Sequence, residues 1–230
     1  SPIKLPIIAK KVVESIVESY SRSKSSTVSV TLDLGLSYHQ AEIRNGRIYV
    51  DEYDLVLDLD RLKESLNKLK NDSVYVYNDG TLTEVAFYSD ETRKFYKLVF
   101  IDLGLPTTIE INGIHMHRVV GLDPYTDAKI KVSQLSTLVG KRVLDICTGL
   151  GYTAIWAKKL GAKEVVTIEY DKNVLNIAQL NPWSWGLIDV RILLGDAAKV
   201  ITELPDDSFD AIMHDPPRFE IAGELYSRSF

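Results

Sequence analysis

Acidic side chains recur in or just after short apolar runs in the second half of this sequence. Asp145 follows Val143-Leu144, and Glu169 follows Val165-Val166-Thr167-Ile168. Asp196 comes after Val190 to Leu194 and Gly195, and Asp215 after Phe209 to His214. Short apolar runs bounded by turn residues read as buried strands. An acid at the carboxyl end of such a strand faces the crevice where open α/β sheets bind ligands. There a carboxylate can accept hydrogen bonds from hydroxyl or amino groups, or take a proton from a reacting group. Glu169 lies 20 residues after Gly149, the reach of one βαβ unit, and an acid at that distance suits a ribose diol. One such acid alone is most simply a solvated loop carboxylate. The ordered series of Asp145, Glu169, Asp196 and Asp215 at βαβ spacing points to a ligand site.

The stretch Val143-Leu144-Asp145-Ile146-Cys147-Thr148-Gly149-Leu150-Gly151-Tyr152-Thr153-Ala154-Ile155 reads as a buried strand, a tight glycine turn and the start of a helix. Gly149 and Gly151 let the backbone turn sharply and approach a ligand closely. The helix N-terminus then points at the turn, where an adenosyl cofactor can rest. A dinucleotide fingerprint prefers glycine at Cys147 and again near Ala154, but alanine is tolerated there, so the turn alone leaves NAD open. The Asp215-Pro216-Pro217 sequence resembles the loop of enzymes that use S-adenosylmethionine (SAM), and that resemblance tips the choice to SAM.

The Asp145-x-Cys147-x-Gly149-x-Gly151 pattern resembles motif I of the class I SAM-dependent methyltransferases. The resemblance implies a cofactor site built from Asp145, Cys147, Thr148, Gly149 and Gly151, continued by Tyr152 and Thr153 at the helix start. It further implies contacts from Glu169 and Tyr170, and from Gly195, Asp196 and Ala197, with Asp196 meeting the adenine amino group.

His214-Asp215-Pro216-Pro217-Arg218-Phe219 resembles the Asp/Asn-Pro-Pro-aromatic motif of amino-group methyltransferases, with Arg218 where the aromatic residue stands. It also resembles the Asp-Pro-Pro-Arg motif of 5-methyluridine RNA methyltransferases. Those require a cysteine nucleophile, whereas the chain's one cysteine, Cys147, lies in the cofactor turn. The expected catalytic residue is Asp215, orienting or deprotonating the acceptor, with His214 and Arg218 beside it. The segment from Phe209 to Pro216, with Ala222 to Phe230, is also similar to spermidine synthases, in which aspartates hold and deprotonate an attacking amine. Aminopropyl transfer is therefore the alternative activity, and a SAM-binding protein without turnover is a third. Residues 109–230 as a whole resemble an uncharacterised family of archaeal-type SAM methyltransferases. The segments that carry this likeness are Met116-His117-Arg118, the glycine turn, Asn181-Pro182-Trp183-Ser184, His214 to Phe219 and Ala222 to Ser227. The acceptor stays open among RNA, protein and a small amine.

The elements that position these residues follow from periodicity. The expected fold class is α/β, a Rossmann-like class I SAM-binding sheet preceded by a small, mostly antiparallel α+β domain. Class I folds continue with further strands, so the chain is expected to lack the C-terminal strands of a longer parent. Residues 1–26 read as a helix and linker, 27–120 as the small domain and 121–230 as the cofactor domain. Ile7, Ile8, Val12, Val13, Ile16, Val17 and Tyr20 predict an amphipathic helix over 6–20. Thr27 to Leu34 alternates as a half-buried strand. Asn45-Gly46 and Asn78-Asp79-Gly80 predict hairpins, and residues 60–70 a short charged helix. Phe95–Ile101 and Thr107–Ile111 predict two further strands. His115 and His117 share a face in extended chain, but a metal site needs a third ligand and none is clustered nearby, so no metal is expected. The segment from His115 to Lys131 is expected to pass under the cofactor and help close the pocket.

The chain has 230 residues, 45% hydrophobic and 26% charged, with a net charge of −5. That balance disfavours broad non-specific nucleic-acid binding while leaving room for a local basic patch. No apolar run approaches membrane-spanning length, and a single cysteine fits a reducing cytoplasm. An exposed sheet edge would favour self-association, so a homo-oligomer is an expectation.

Overall fold

A computed structural model describes residues 5–23, 26–116 and 121–216. The chain divides into two compact units, residues 1–86 with 98–105, and residues 87–97 with 106–230. The boundary expected near residue 120 thus falls inside the second unit, which also takes in the 87–97 segment.

The first unit opens with β1 (Ile7–Ala9) and α1 (Lys10–Ser23). Here the structure differs from the helix expected over 6–20. Ile7, Ile8 and Ala9 are all buried, and β1 pairs antiparallel with β6 (Val74–Asn78) in the register Ile8↔Tyr75. The other side of β1 is also engaged, since the Ile7 N–H donates to the Leu32 carbonyl at 2.8 Å. A short apolar run fits a helix face and a two-sided strand equally well, and only its pairing partners decide. β7 (Thr81–Glu84) completes the β1-β6-β7 sheet, and its turn at Asp79-Gly80 has the expected positive φ at both positions.

A second sheet has the order β2-β3-β4-β5, from Thr27–Val30, His39–Arg44, Arg47–Val50 and Leu55–Asp58. The Asn45-Gly46 turn joins β3 to β4 as expected, with Arg44 opposite Arg47. The expected strand through Leu34 ends at Val30, and the chain turns at Leu34, which takes a φ of 59°. α2 (Leu59–Ser65) is capped by Asp58, whose Oδ1 accepts the Arg61 N–H. Val12, Val13 and Ile16 of α1 join Leu32, Ile48, Leu57 and Tyr75 in one buried cluster.

The 87–97 segment of the second unit carries most of β8 (Ala86–Ser89) and β9 (Lys94–Val99). With β10 (Thr108–Ile111) and β11 (Ile114–His115) they form a sheet in the order β11-β10-β9-β8. The β10–β11 turn is Asn112-Gly113, a hairpin signal of the same kind as Asn45-Gly46 that sequence reading passed over. α3 (Pro124–Ser133) begins at Asp123, whose side chain accepts the Thr126 N–H at 2.7 Å, with proline in the first turn.

A parallel sheet follows, built from β12 (Arg142–Ile146), β13 (Glu164–Glu169), β14 (Arg191–Leu194) and β15 (Ala211–His214). α4 (Tyr152–Lys159), α5 (Lys172–Gln179), a 3-10 turn over Pro182–Asp189 and α6 (Ala197–Glu203) connect the strands. The strand order is β14-β13-β12-β15. Val143, Leu144, Val165 and Val166 are all buried, as central parallel strands require. Because β13 and β14 lie to one side of β12 and β15 to the other, the order reverses at β12. Ligands of open α/β sheets bind beyond the strands' carboxyl ends at such a reversal.

Candidate active site

A cavity of about 190 Å³ lies at that reversal. Cys147, Thr148 and Gly149 of the glycine turn line it, with Tyr152 and Thr153 at the start of α4. Pro124, Asp127, Ala128 and Lys131 of α3 form another wall, and Met116, Asp215 and Pro216 close it. The described part of the segment from His115 to Lys131 therefore contributes to the pocket as expected.

The turn has a left-handed backbone at Cys147 (φ 74°), Gly149 (φ 54°) and Gly151 (φ 84°). That conformation is uncommon for a residue with a side chain and persists only where the surroundings impose it. The N–H groups of Cys147 and Thr148 both reach the Ile168 carbonyl, at 3.0 and 3.1 Å, which pins the turn to the end of β13. Gly151 is needed for a further reason. A Cβ there would meet the Leu187 side chain at 2.5 Å, so the close approach at Gly151 is to Leu187, and Gly151 itself does not line the cavity.

Asp145 lies within the sheet, fully buried, and does not line the cavity. Its carboxylate accepts the Thr167 hydroxyl at 2.7 Å and the Thr153 hydroxyl at 3.1 Å. Burial pushes its pKa up to about 7, the threonine bonds oppose that, and the nearby charges of Asp215 and Glu169 reinforce it. Asp145 thus ties β12 to β13 and to the first turn of α4.

Glu169 is also buried. Its Oε1 accepts the Gly149 N–H at 2.9 Å and its Oε2 the Asp171 N–H at 3.0 Å. Burial raises its pKa, and these backbone bonds oppose the rise. Glu169 and Leu194 are paired in register, and the Gly195 N–H donates to the Glu169 carbonyl at 2.8 Å. Glu169, Tyr170, Gly195, Asp196 and Ala197 therefore gather at the carboxyl ends of β13 and β14, outside the lining of the cavity. Tyr170 is 75% exposed, and Asp196 caps α6 by accepting the Ala198 N–H at 2.9 Å.

Glu169 is compatible with the diol of an adenosyl ligand. An ionised carboxylate has roughly four acceptor positions, and the bonds to Gly149 and Asp171 leave Glu169 capacity for a diol. Its partner Gly149 is one of the turn residues that line the cavity.

Asp215 enters the cavity from beyond β15. Lys131 Nζ donates to its Oδ2 at 2.9 Å and also lies 3.0 Å from Asp127 Oδ2. Sequence reading did not single out this bridge, although Asp127 and Lys131 stand at helical i,i+4 spacing. His214 is exposed at the end of β15, opposite Ile146, and does not line the cavity. His117, Arg118, Pro217, Arg218, Phe219 and the segment from Ala222 to Phe230 lie outside the described residues. Among the described residues, no group of three or more His, Cys, Asp or Glu side chains is placed to hold a metal ion. No helix among them is long and apolar enough to cross a membrane.

The Asn181-Pro182-Trp183-Ser184 segment supports the turn. Asn181 donates to the Tyr152 hydroxyl at 3.1 Å and to Ser184 Oγ at 2.7 Å, while its Oδ1 accepts the Thr107 hydroxyl at 2.7 Å. Ser184 donates to the Leu150 carbonyl at 2.6 Å. The Tyr152 hydroxyl donates to the Thr107 carbonyl at 2.8 Å. Tyr152 thus lines the cavity while its hydroxyl is committed to this buried network.

Comparison with known proteins accords with this geometry. The sequence model of a family described as a methyltransferase domain matches residues 143–219. An uncharacterized protein of Methanocaldococcus jannaschii is 38% identical over 238 aligned residues, covering 100% of this chain and 78% of that protein. A ribosomal protein L11 methyltransferase of Clostridium perfringens is 26% identical across 74% of this chain and 59% of its own length. The ribosomal RNA large subunit methyltransferase I of Aeromonas hydrophila is 38% identical over 84 residues, 35% of this chain and 21% of that enzyme. The chain thus spans only part of each of these relatives. Among solved structures, a spermidine synthase bound to a transition-state analogue superposes with a TM-score of 0.52 at 17% identity. It covers 70% of this chain and 53% of that one, a likeness of fold alone. The chain belongs to the family of the uncharacterized Methanocaldococcus jannaschii protein, and residues 143–219 of its second unit match a methyltransferase domain.

Proposed function

We propose that this protein transfers a methyl group from SAM to a nucleophilic acceptor, with Asp215 as the catalytic residue. The observation that carries the reading is the position of Asp215 in a cavity that also contains the Cys147–Gly149 turn. Glu169 would hold the ribose diol, the turn would pack against the cofactor, and Asp196 would accept from the adenine amino group. Bound there, SAM supplies an electrophilic methyl group on a sulfonium centre.

The chain's own residues then orient the acceptor. Lys131 holds Oδ2 of Asp215 by a charge-assisted hydrogen bond, which leaves Oδ1 to accept from the acceptor's X–H. Pro216 fixes one φ next to Asp215, limiting the freedom lost when the acceptor binds. Alignment of the acceptor's lone pair and removal of its proton are the contributions that this loop can make.

Calorimetry with SAM, S-adenosylhomocysteine and NAD tests the cofactor. Tight binding of NAD without SAM would refute the reading. Glu169→Ala is expected to weaken SAM by about 1–3 kcal/mol through a lost charge-assisted bond. Product analysis tests the reaction. Methyl transfer yields S-adenosylhomocysteine, whereas aminopropyl transfer from decarboxylated SAM yields methylthioadenosine. Methylthioadenosine as the sole product would assign the alternative, and neither product would make the protein a binder without turnover. RNA, ribosomal protein and small amines are the acceptor classes to screen.

A further inference from the structure

The β8–β9 hairpin places a buried phenol against the turn that follows Glu169. Tyr96 is fully buried, with Phe87 stacked on its ring at 5.5 Å. A buried phenol needs a hydrogen-bond partner. The Tyr96 hydroxyl donates to Oδ2 of Asp171 and is bonded to the Thr92 hydroxyl at 2.9 Å. Burial above all, then the bond to Asp171, pushes the Tyr96 pKa up to about 12, so the phenol remains a donor at neutral pH.

Both carboxylate oxygens of Asp171 are engaged in this arrangement. Its Oδ1 accepts the Asn173 N–H at 2.9 Å and the Asn173 amide at 3.0 Å, and so caps α5. Its own N–H donates to Glu169 Oε2 at 3.0 Å, and Glu169 Oε1 accepts from Gly149 at 2.9 Å. A continuous series of hydrogen bonds therefore runs from Thr92 through Tyr96, Asp171 and Glu169 to the glycine turn. Asn173 adds a second link to the hairpin, donating to Ser89 Oγ at 3.3 Å.

We propose that Tyr96 is a positioning residue for cofactor binding, setting the direction of the Glu169 carboxylate through Asp171. The inference rests on the reading of Glu169 as the ribose acid. Tyr96 holds the Asp171 side chain, the capped turn fixes the Asp171 N–H, and that N–H fixes one oxygen of Glu169. A carboxylate already aimed at the diol loses less freedom on binding, so the hairpin raises affinity without touching the ligand.

The test is calorimetry of S-adenosylhomocysteine and of an analogue lacking both ribose hydroxyls. Tyr96→Phe is expected to weaken S-adenosylhomocysteine about fivefold, the effect of one net hydrogen bond, and to leave the analogue's affinity unchanged. In a Glu169→Gln background Tyr96→Phe should have no further effect. Asp171→Ser keeps a capping hydroxyl but lacks the oxygen that Tyr96 reaches, and it should show the same selective loss. It decides the matter if Tyr96→Phe fails to fold. Equal loss for both ligands, or additivity with Glu169→Gln, would overturn the proposal by making Tyr96 a core residue only. Wild-type protein that binds no S-adenosylhomocysteine would overturn the cofactor reading as well. Wild-type binding with an unaffected Tyr96→Phe variant would overturn this inference alone.

Discussion

Lys131 Nζ lies 2.9 Å from Asp215 Oδ2, joining α3 to the loop beyond β15 across 84 residues of sequence. The same ammonium lies 3.0 Å from Asp127, so one cation separates two carboxylates at the cavity wall. Partial burial alone would lower the Lys131 pKa, but its hydrogen bonds to Asp215 and Asp127 outweigh that and raise it. The amine therefore stays charged throughout the neutral range. Lys131→Met would leave the two carboxylates without their shared counter-ion. Turnover is expected to fall roughly tenfold through misplacement of Asp215. Because both side chains are about half exposed, thermal unfolding should show a loss within about 1 kcal/mol.

Asp215→Asn separates proton transfer from orientation. An amide oxygen still accepts a hydrogen bond but cannot take a proton at neutral pH. The expected outcome is a fall in turnover of roughly 10²–10⁴ with SAM affinity intact, measured by steady-state kinetics beside calorimetry. A small loss would assign Asp215 to accepting a hydrogen bond. Full turnover in Asp215→Ala would remove this loop from the chemistry.

Asp145 predicts a pH dependence of stability. Its pKa is raised from 3.8 to about 7 in the folded protein, first by burial. Between these values the folded state binds more protons than the unfolded chain. The contribution is therefore fully present below about pH 4 and is lost as pH rises to about 7. Glu169, also raised by burial, acts with the same sign. Urea unfolding of Asp145→Asn across this range should show a flatter profile than wild type. An unchanged slope would mean that Asp145 does not carry the effect.

The packing of Gly151 can be tested against a second glycine. Gly151 has φ 84° and its Cβ position lies 2.5 Å from Leu187, whereas Gly140 has φ 73° with nothing within 4 Å. Gly140→Ala should cost about 1 kcal/mol for the left-handed backbone alone. Gly151→Ala should cost about 1–3 kcal/mol more by overpacking against Leu187. Chemical denaturation of the two variants measures the difference, and equal losses would show that Leu187 moves aside freely.

Local patterns made much of the second unit legible. Continuous apolar runs identify β12 and β13, because strands buried on both faces need apolar residues on both. Asp145, the glycine turn and Glu169 stand where βαβ geometry puts them, and Asn45-Gly46 forms its turn because those residues tolerate a positive φ. The Asp123-Pro124 start of α3 was equally readable as a capping signal and was passed over. For Ile7 and Ile8 the local pattern was ambiguous, since a run of three apolar residues is too short to show either the helix or the strand period.

The sequence by itself determined the class of the second unit, because strand, turn and acid spacing are short-range properties of a βαβ chain. Only the tertiary structure decided what each acid does. Asp145 turned inward to bond Thr167 and Thr153, Asp215 met Lys131 from α3, and Glu169 was linked through Asp171 to Tyr96. Two of these contacts join distant parts of the chain, across 84 residues for Lys131 and Asp215 and 75 for Tyr96 and Asp171. Spacing along a chain fixes where a side chain leaves the backbone. Its charge state and hydrogen bonds depend on which other elements pack against it, and that is settled only when the fold closes.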